Sequence, residues 1–202
     1  MFKKFLAICF IFILSFSCIS CGNKSDSPET VVANYFNALK SGDLESAKAY
    51  VKDGNDQILN DTEEEESATE MNYILGTLSY HVISTEINDS TATVKTTITN
   101  VDMKPVMGEF VTQLFSLAFS GLDEEELEAK QKEAFASAFE ANKDTTIDTE
   151  VDIQLEKTET GWVINPTDDL ADGITGGLLS VGKDLANSFG ADVEDNGDES
   201  TN

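Results

Sequence analysis

Between Ile147 and Glu156 the chain reads Ile147-Asp148-Thr149-Glu150-Val151-Asp152-Ile153-Gln154-Leu155-Glu156. Every odd position is aliphatic or threonine, and every even position is acidic or glutamine. Successive side chains of a strand point to opposite faces, so this period of two puts one face in a core and the other in water. Thr91 to Val101 repeats the pattern, with Ala92, Val94 and Ile98 on one face and Thr93, Lys95, Thr97 and Thr99 on the other. Alternation of this kind belongs to half-buried antiparallel strands, with one face in the core and one in water.

Partners for these strands lie nearby in sequence. Leu78 to Ile87 and Thr91 to Val101 flank Asn88-Asp89-Ser90, which suits a hairpin turn. After Thr158-Glu-Thr-Gly161, a short return strand runs from Trp162 to Asn165 and stops at Pro166. Helices fill the intervals. Ser27-Pro28-Glu29 places a capping serine, a proline at the first helical position and an acid near the dipole's positive end, followed by Val32, Tyr35, Phe36 and Leu39 at helical spacing. Ser41-Gly42 ends that helix, and Asp43 caps a second one striped by Leu44, Ala47 and Val51. A weak helix is expected from Thr62 to Gly76, its start burdened by the acidic run Glu63 to Glu66.

From Pro105 to Phe119 a helix with little polar face is expected, needing cover on most sides. Ser120-Gly121 stops it, and Asp123 opens an amphipathic helix carrying Leu127, Ala134, Phe135, Ala138 and Phe139 on one side. Together they form a helical hairpin inserted between the two strand pairs. Leu170, Ile174, Leu178, Val181, Leu185 and Phe189 make a C-terminal helical stripe interrupted by Gly173, Gly176, Gly177 and Gly182, whose small size lets a helix lie close against the sheet. The class is therefore α+β, with N-terminal helices packed on a curved antiparallel sheet of about four strands.

Ahead of this domain, two lysines, the apolar run Phe5 to Phe16 and small residues before Cys21 have the order of an export signal. Cys18-Ile19-Ser20-Cys21-Gly22 resembles the lipobox of bacterial lipoproteins. The resemblance implies a signal peptide over residues 1–20, a lipidated tether over 21–27 with Cys21 carrying the acyl chains, a domain over 28–190 and a disordered acidic tail over 191–202. The apolar run is shorter than the ~20 residues a membrane span needs. Two acyl chains, at about 0.8 kcal/mol per buried methylene, anchor stably. The expected place is the extracytoplasmic face of the cell membrane, with the lipid bilayer as partner through Cys21.

Without residues 1–20 the chain keeps 11 basic residues, all lysine, against 38 acidic ones, a net charge of −27. Such a charge repels nucleic acid and anionic headgroups. Cys9 and Cys18 leave with the signal, so no disulfide or thiol chemistry is expected in the domain, and no cofactor or metal site is named. Gly177-Leu-Leu-Ser-Val-Gly182-Lys183 matches part of a phosphate-binding loop, but Asp184 stands where a magnesium-binding Ser or Thr belongs and no strand precedes it. EF-hand readings from Asp192 or Asp53 fail on a missing twelfth residue and on Ile58 at the glycine position. His81, the single histidine, lies in a strand and reads as structural, so no catalytic residue is assigned.

The order of elements from Ser27-Pro-Glu-Thr-Val-Val through Asn100-Val-Asp-Met-Lys-Pro105 to Gly161-Trp162-Val-Ile-Asn165 and Leu170-Ala-Asp-Gly-Ile-Thr-Gly-Gly177 resembles bacterial lipoproteins of unknown function with a nuclear-transport-factor-2-like, cystatin-like domain. That resemblance implies a long N-terminal helix across a curved sheet enclosing a cone-like pocket, which the hairpin fills or lids. Tyr35, Phe36, Phe110, Phe115 and Trp162 are the expected pocket lining. The expected function is a noncatalytic binding module for a small apolar ligand or an envelope protein partner. A small-molecule enzyme on the same fold and a ligand-free structural protein are the alternatives.

Overall fold

Ser27 Oγ accepts a hydrogen bond from the Thr30 amide (3.2 Å), so the first helix begins at the following proline, as the capping pattern requires. In the computed structural model, which describes residues 26–54 and 65–188, this helix is α1 (Pro28–Ser41), and it ends at left-handed Gly42. The leader, Cys21, the acidic tail, Phe189, the EF-hand start at Asp192 and most of the loop after Asp53 lie outside the described residues. Asp43 caps α2 (Leu44–Lys48) through the Ser46 amide at 3.1 Å. The stripe expected to continue to Val51 ends earlier, because Val51 leaves the helix and bridges Ile164 in the sheet. The Ile164 amide donates to the Tyr50 carbonyl at 2.8 Å. After it comes α3 (Glu65–Thr77), matching the expected helix where residues are described.

Four strands, β1 (Ser79–Asn88), β2 (Thr91–Val101), β3 (Thr146–Lys157) and β4 (Trp162–Ile164), pair antiparallel in the order β1-β2-β3-β4. In the central pair Val94 faces Ile153 and Ala92 faces Leu155, so the two apolar faces coincide. Thr96 and Asn100 complete the inward face of β2 and are buried. On the outward face Lys95 pairs with Glu150 at 3.0 Å, and that hydrogen bond raises the lysine's pKa. β1 carries a bulge at Ile83: Tyr80 and Val82 face Ile98 and Thr96, whereas beyond it Thr85 and Ile87 face Val94 and Ala92. One extra residue shifts the phase, which turns Ile83 outward and bends the strand.

The core-facing side of the sheet is covered by α1 and by α6 (Asp168–Ile174). Tyr35, Phe36 and Leu39 from α1 and Leu170 and Ile174 from α6 pack with Val94, Ile98, Ile153, Leu155 and Ile164. Phe36 is fully buried and stacks on Tyr80 with ring centroids 4.6 Å apart. Burial of such a side chain contributes roughly 1.5–3 kcal/mol. A Cβ on Gly173 would lie 3.2 Å from Ile98 Cδ1 and 3.3 Å from Val151 Cγ2, so the absence of one is what lets α6 sit this close. The expected C-terminal stripe is two helices, α6 and α7 (Leu178–Ser188), because Gly176 and Gly177 take φ of +63° and +85° between them.

The hairpin consists of α4 (Met103–Leu117) and α5 (Glu124–Asn142). α4 starts two residues before the expected Pro105. Asp102 accepts from the Lys104 amide at 2.9 Å, and Pro105 falls within the first turn, where an N–H has no helical partner to lose. Asp123 caps α5 through the Glu126 amide at 3.0 Å. Asn100 ties the layers together. Its Nδ2 donates to the Ile174 carbonyl (2.6 Å), and its Oδ1 accepts from Thr77 Oγ1 (2.6 Å) and the Val101 amide (2.7 Å).

Candidate functional site

The hairpin leaves the sheet at Val101 and returns at Thr146, its feet joined by a 2.8 Å bond from the Asp102 amide to the Thr145 carbonyl. α4 and α5 pair mainly with each other, so their apolar faces need cover from elsewhere. α3 and α7 supply it. Ile74, Val101, Met103, Val106, Phe135, Ala138 and Phe139 form a second buried cluster, with Met71, Met107, Phe110 and Leu178 packed against it. Phe110 meets Phe135 edge to face at 5.6 Å. Glu109 links the two helices by accepting from Asn142 Nδ2 of α5 at 3.1 Å, and it also accepts from Gln113 Nε2 of its own helix at 3.3 Å.

At the junction of these four helices lies an open groove of about 430 Å³. Met71 and Ile74 of α3, Met107 and Phe110 of α4, Phe135 of α5 and Leu178 of α7 form its apolar wall. Glu70, Glu128, Gln131 and Lys132 supply its polar groups, and Lys132 is ion-paired to Glu128 at 2.8 Å. Glu70 Oε2 is shielded from solvent and has no hydrogen-bond partner among the described residues. The groove thus combines apolar walls, two adaptable methionines and a few polar atoms, a volume and composition within the range of small-molecule pockets.

The five aromatics expected to line one pocket occupy three different places. Tyr35 and Phe36 are fully buried in the sheet core, filling the space between α1 and the sheet together with α6. The expected cone is thus filled by side chains and by α6, and the hairpin neither fills nor lids it. Phe110 lines the groove between helices. Phe115 is 58% exposed on α4, and Phe119, just beyond that helix, is 87% exposed. Trp162, which is buried, borders a separate open depression of about 600 Å³ with Pro28, Ile87 and Lys157, whose ammonium lies 5.7 Å from the indole centroid. Cys21 lies outside the described residues.

Glu70 escaped the sequence reading because it sits in an acid-rich segment where every carboxylate looks solvated. The available signal was its place beside Met71 and one turn before Ile74, both of which face the hairpin. Phe135 and Leu178 belong to the expected helical stripes and Met107 to the expected helix with little polar face, but their convergence is a property of the packing.

The remaining motifs resolve simply. Around Gly177 to Lys183 the preceding element is α6, and Asp172 occupies the start of α7, accepting from the Ser180 amide (2.9 Å) and Ser180 Oγ (2.6 Å). A carboxylate already stands where a phosphate would have to bind. Lys183 pairs with Asp168 at 3.4 Å. His81 is exposed on the outward side of β1 opposite Thr97 and does not border the groove. Among the described residues no three His, Cys, Asp or Glu side chains are grouped to hold a metal ion, and no helix is long and apolar enough to cross a membrane.

No protein-family model matches the sequence, and no curated protein matches it. Among solved structures the chain is similar to an NTF-2 like protein of unknown function from Shewanella oneidensis MR-1, with 13% identity, coverage of 68% of this chain and 91% of that one, and a TM-score of 0.37. It is also similar to a candidate lipoprotein (ycdA) from Bacillus subtilis subsp. subtilis str. 168, with 16% identity, coverage of 74% of this chain and 46% of that one, and a TM-score of 0.39. This chain thus spans about half the length of the second protein. At this identity each likeness is one of shape, and it transfers no ligand or activity.

Proposed function

We propose that the chain is a lipoprotein held at the extracytoplasmic face of the cell membrane by acyl chains on Cys21, and that its domain is a noncatalytic binding module for a small apolar ligand. The anchor reading is supported by the residue order from Met1 to Gly22. The binding reading is carried by one observation, the 430 Å³ apolar groove among α3, α4, α5 and α7. Its volume falls in the usual range for ligand sites, roughly 300–1,000 Å³. Native mass spectrometry of the leaderless chain, prepared without detergent, tests this. A ligand-sized added mass that disappears when Met107→Trp fills the groove is expected, whereas an unchanged added mass in that variant refutes the assignment to the groove. For the anchor, metabolic fatty-acid labelling is expected in the wild type and lost in Cys21→Ser; retained labelling places the lipid elsewhere.

A second reading, an envelope protein as the partner, is supported by exposed Phe115 and Phe119 near the tip of the hairpin. It is tested by crosslinking in the native envelope. A crosslinked partner lost in Phe115→Ser/Phe119→Ser supports it, and an unchanged crosslinking pattern counts against it.

A further inference from the structure

The groove is lined by a carboxylate with one oxygen that no described residue satisfies. Glu70 borders the apolar wall formed by Met71, Ile74, Met107, Phe110 and Phe135, and its Oε2 is shielded from water without a hydrogen-bond partner among the described residues. Shielding a carboxylate oxygen from water without giving it a donor is costly, and a cation held in the groove against the Glu70 carboxylate offsets that cost. The second acid on the rim, Glu128, is paired with Lys132, so the groove's ammonium already has an anionic neighbour. A ligand carboxylate would therefore meet a negative Glu70 and a lysine engaged by another acid. The charge of the whole chain, −25, acts in the same direction.

Resting on the ligand-binding reading above, we infer that the groove takes a cationic amphiphile: a primary ammonium head donating to Glu70 and an alkyl or aryl body lying against Met71, Met107, Phe110 and Phe135. The ammonium pairs with the Glu70 carboxylate, and the body covers the apolar wall. Charge-assisted hydrogen bonds out of water are the strong ones, so the head supplies selectivity while the body supplies affinity.

The test uses residues 22–202, which lack the leader and the lipid-bearing Cys21, and three probes of equal length: n-decylamine, n-decanol and decanoate. Titration calorimetry below their aggregation concentrations, in about 0.5 M salt, screens the diffuse charge of the surface. Decylamine is expected to bind about tenfold tighter than decanol, and decanoate more weakly than either. In Glu70→Gln, which keeps the shape and loses the charge, the preference for the amine is expected to vanish while decanol affinity stays the same. Met107→Trp is expected to abolish binding of all three, with circular dichroism confirming that both variants are folded.

An amine preference that survives Glu70→Gln overturns the inference, as does amine binding that survives Met107→Trp. Decanol binding as tightly as decylamine in the wild type overturns the inference while leaving the groove reading intact. Failure of all three probes to bind overturns both.

Discussion

Replacing Gly176 with alanine is the sharpest perturbation the fold offers. The residue sits between α6 and α7 at φ +63°, and an added Cβ would lie 1.9 Å from the Val101 carbonyl oxygen and 3.1 Å from its carbonyl carbon. Real Cβ atoms essentially never approach closer than 3.0 Å, so the turn must retreat from the end of β2. The left-handed conformation alone costs roughly 1–2 kcal/mol for a residue with a Cβ. Retreat also breaks the 2.9 Å bond from the Met103 amide to the Gly176 carbonyl, worth about 1 kcal/mol. Strain and repacking around Met103 and Ile174 add about 1–3 kcal/mol. Together these give a loss of about 3–6 kcal/mol, a large share of the 5–15 kcal/mol typical of a domain. Urea denaturation followed by circular dichroism measures it. Gly182→Ala is the internal control, since its Cβ would meet open space in the middle of α7 and the change is expected to be neutral or stabilising by up to about 1 kcal/mol. A loss below about 1 kcal/mol in Gly176→Ala, with unchanged m-value, refutes the reasoning.

Asn100→Ala strips the Ile174 carbonyl, the Val101 amide and Thr77 of their shared partner and is expected to cost about 2–4 kcal/mol in the same assay. Asp43→Ala removes the cap of α2, and the loss depends on pH. The Ser46 hydrogen bonds lower the Asp43 pKa from 3.8, so the carboxylate's contribution is complete above 3.8 and fades as pH falls through the lower folded value. Wild type and variant should therefore differ in thermal midpoint at pH 7 and converge at the acid end. His81→Ala, on the wet face of β1, is expected to change stability by no more than about 0.5 kcal/mol and to leave biological activity intact, and a loss of activity in a stable variant would favour the enzyme alternative. Phe135→Ala, which removes a ring from both the second core and the groove, should cost about 3–5 kcal/mol by chemical denaturation.

Much of the architecture was legible because it is written in local chemistry. Val151, Ile153 and Leu155 are buried in alternation with exposed Asp152 and Gln154, as a period of two demands. Ser27, Asp43, Asp123 and Asn88-Asp89-Ser90 mark element ends in the positions their capping and turn chemistry predicts. The misreadings have equally local causes. Pro105 is a good helix opener, but Asp102, three residues earlier, caps the helix and starts it at Met103. Ile83 looked like one more strand residue, and only its pairing with β2 reveals the bulge that turns it outward.

The site was less legible, because helical spacing says that a side chain is buried and not what it is buried against. Tyr35, Phe36, Phe110, Phe115 and Trp162 share a chemistry, yet two are sheet core, one lines the groove, one is exposed and one borders a separate depression. Sequence by itself determined the α+β class, the inner and outer faces of the sheet, the order of helices and the strong negative charge, since these depend on neighbours within a few residues or on composition. Tertiary structure alone decided that α6 and the α1 aromatics fill the space beneath α1, that the hairpin builds a second core with α3 and α7, and that Glu70 ends up with a shielded oxygen on that groove. Those outcomes depend on contacts between segments far apart in the chain, where volume and close approach, at Gly173 and Gly176 above all, choose among packings that the local pattern leaves equivalent.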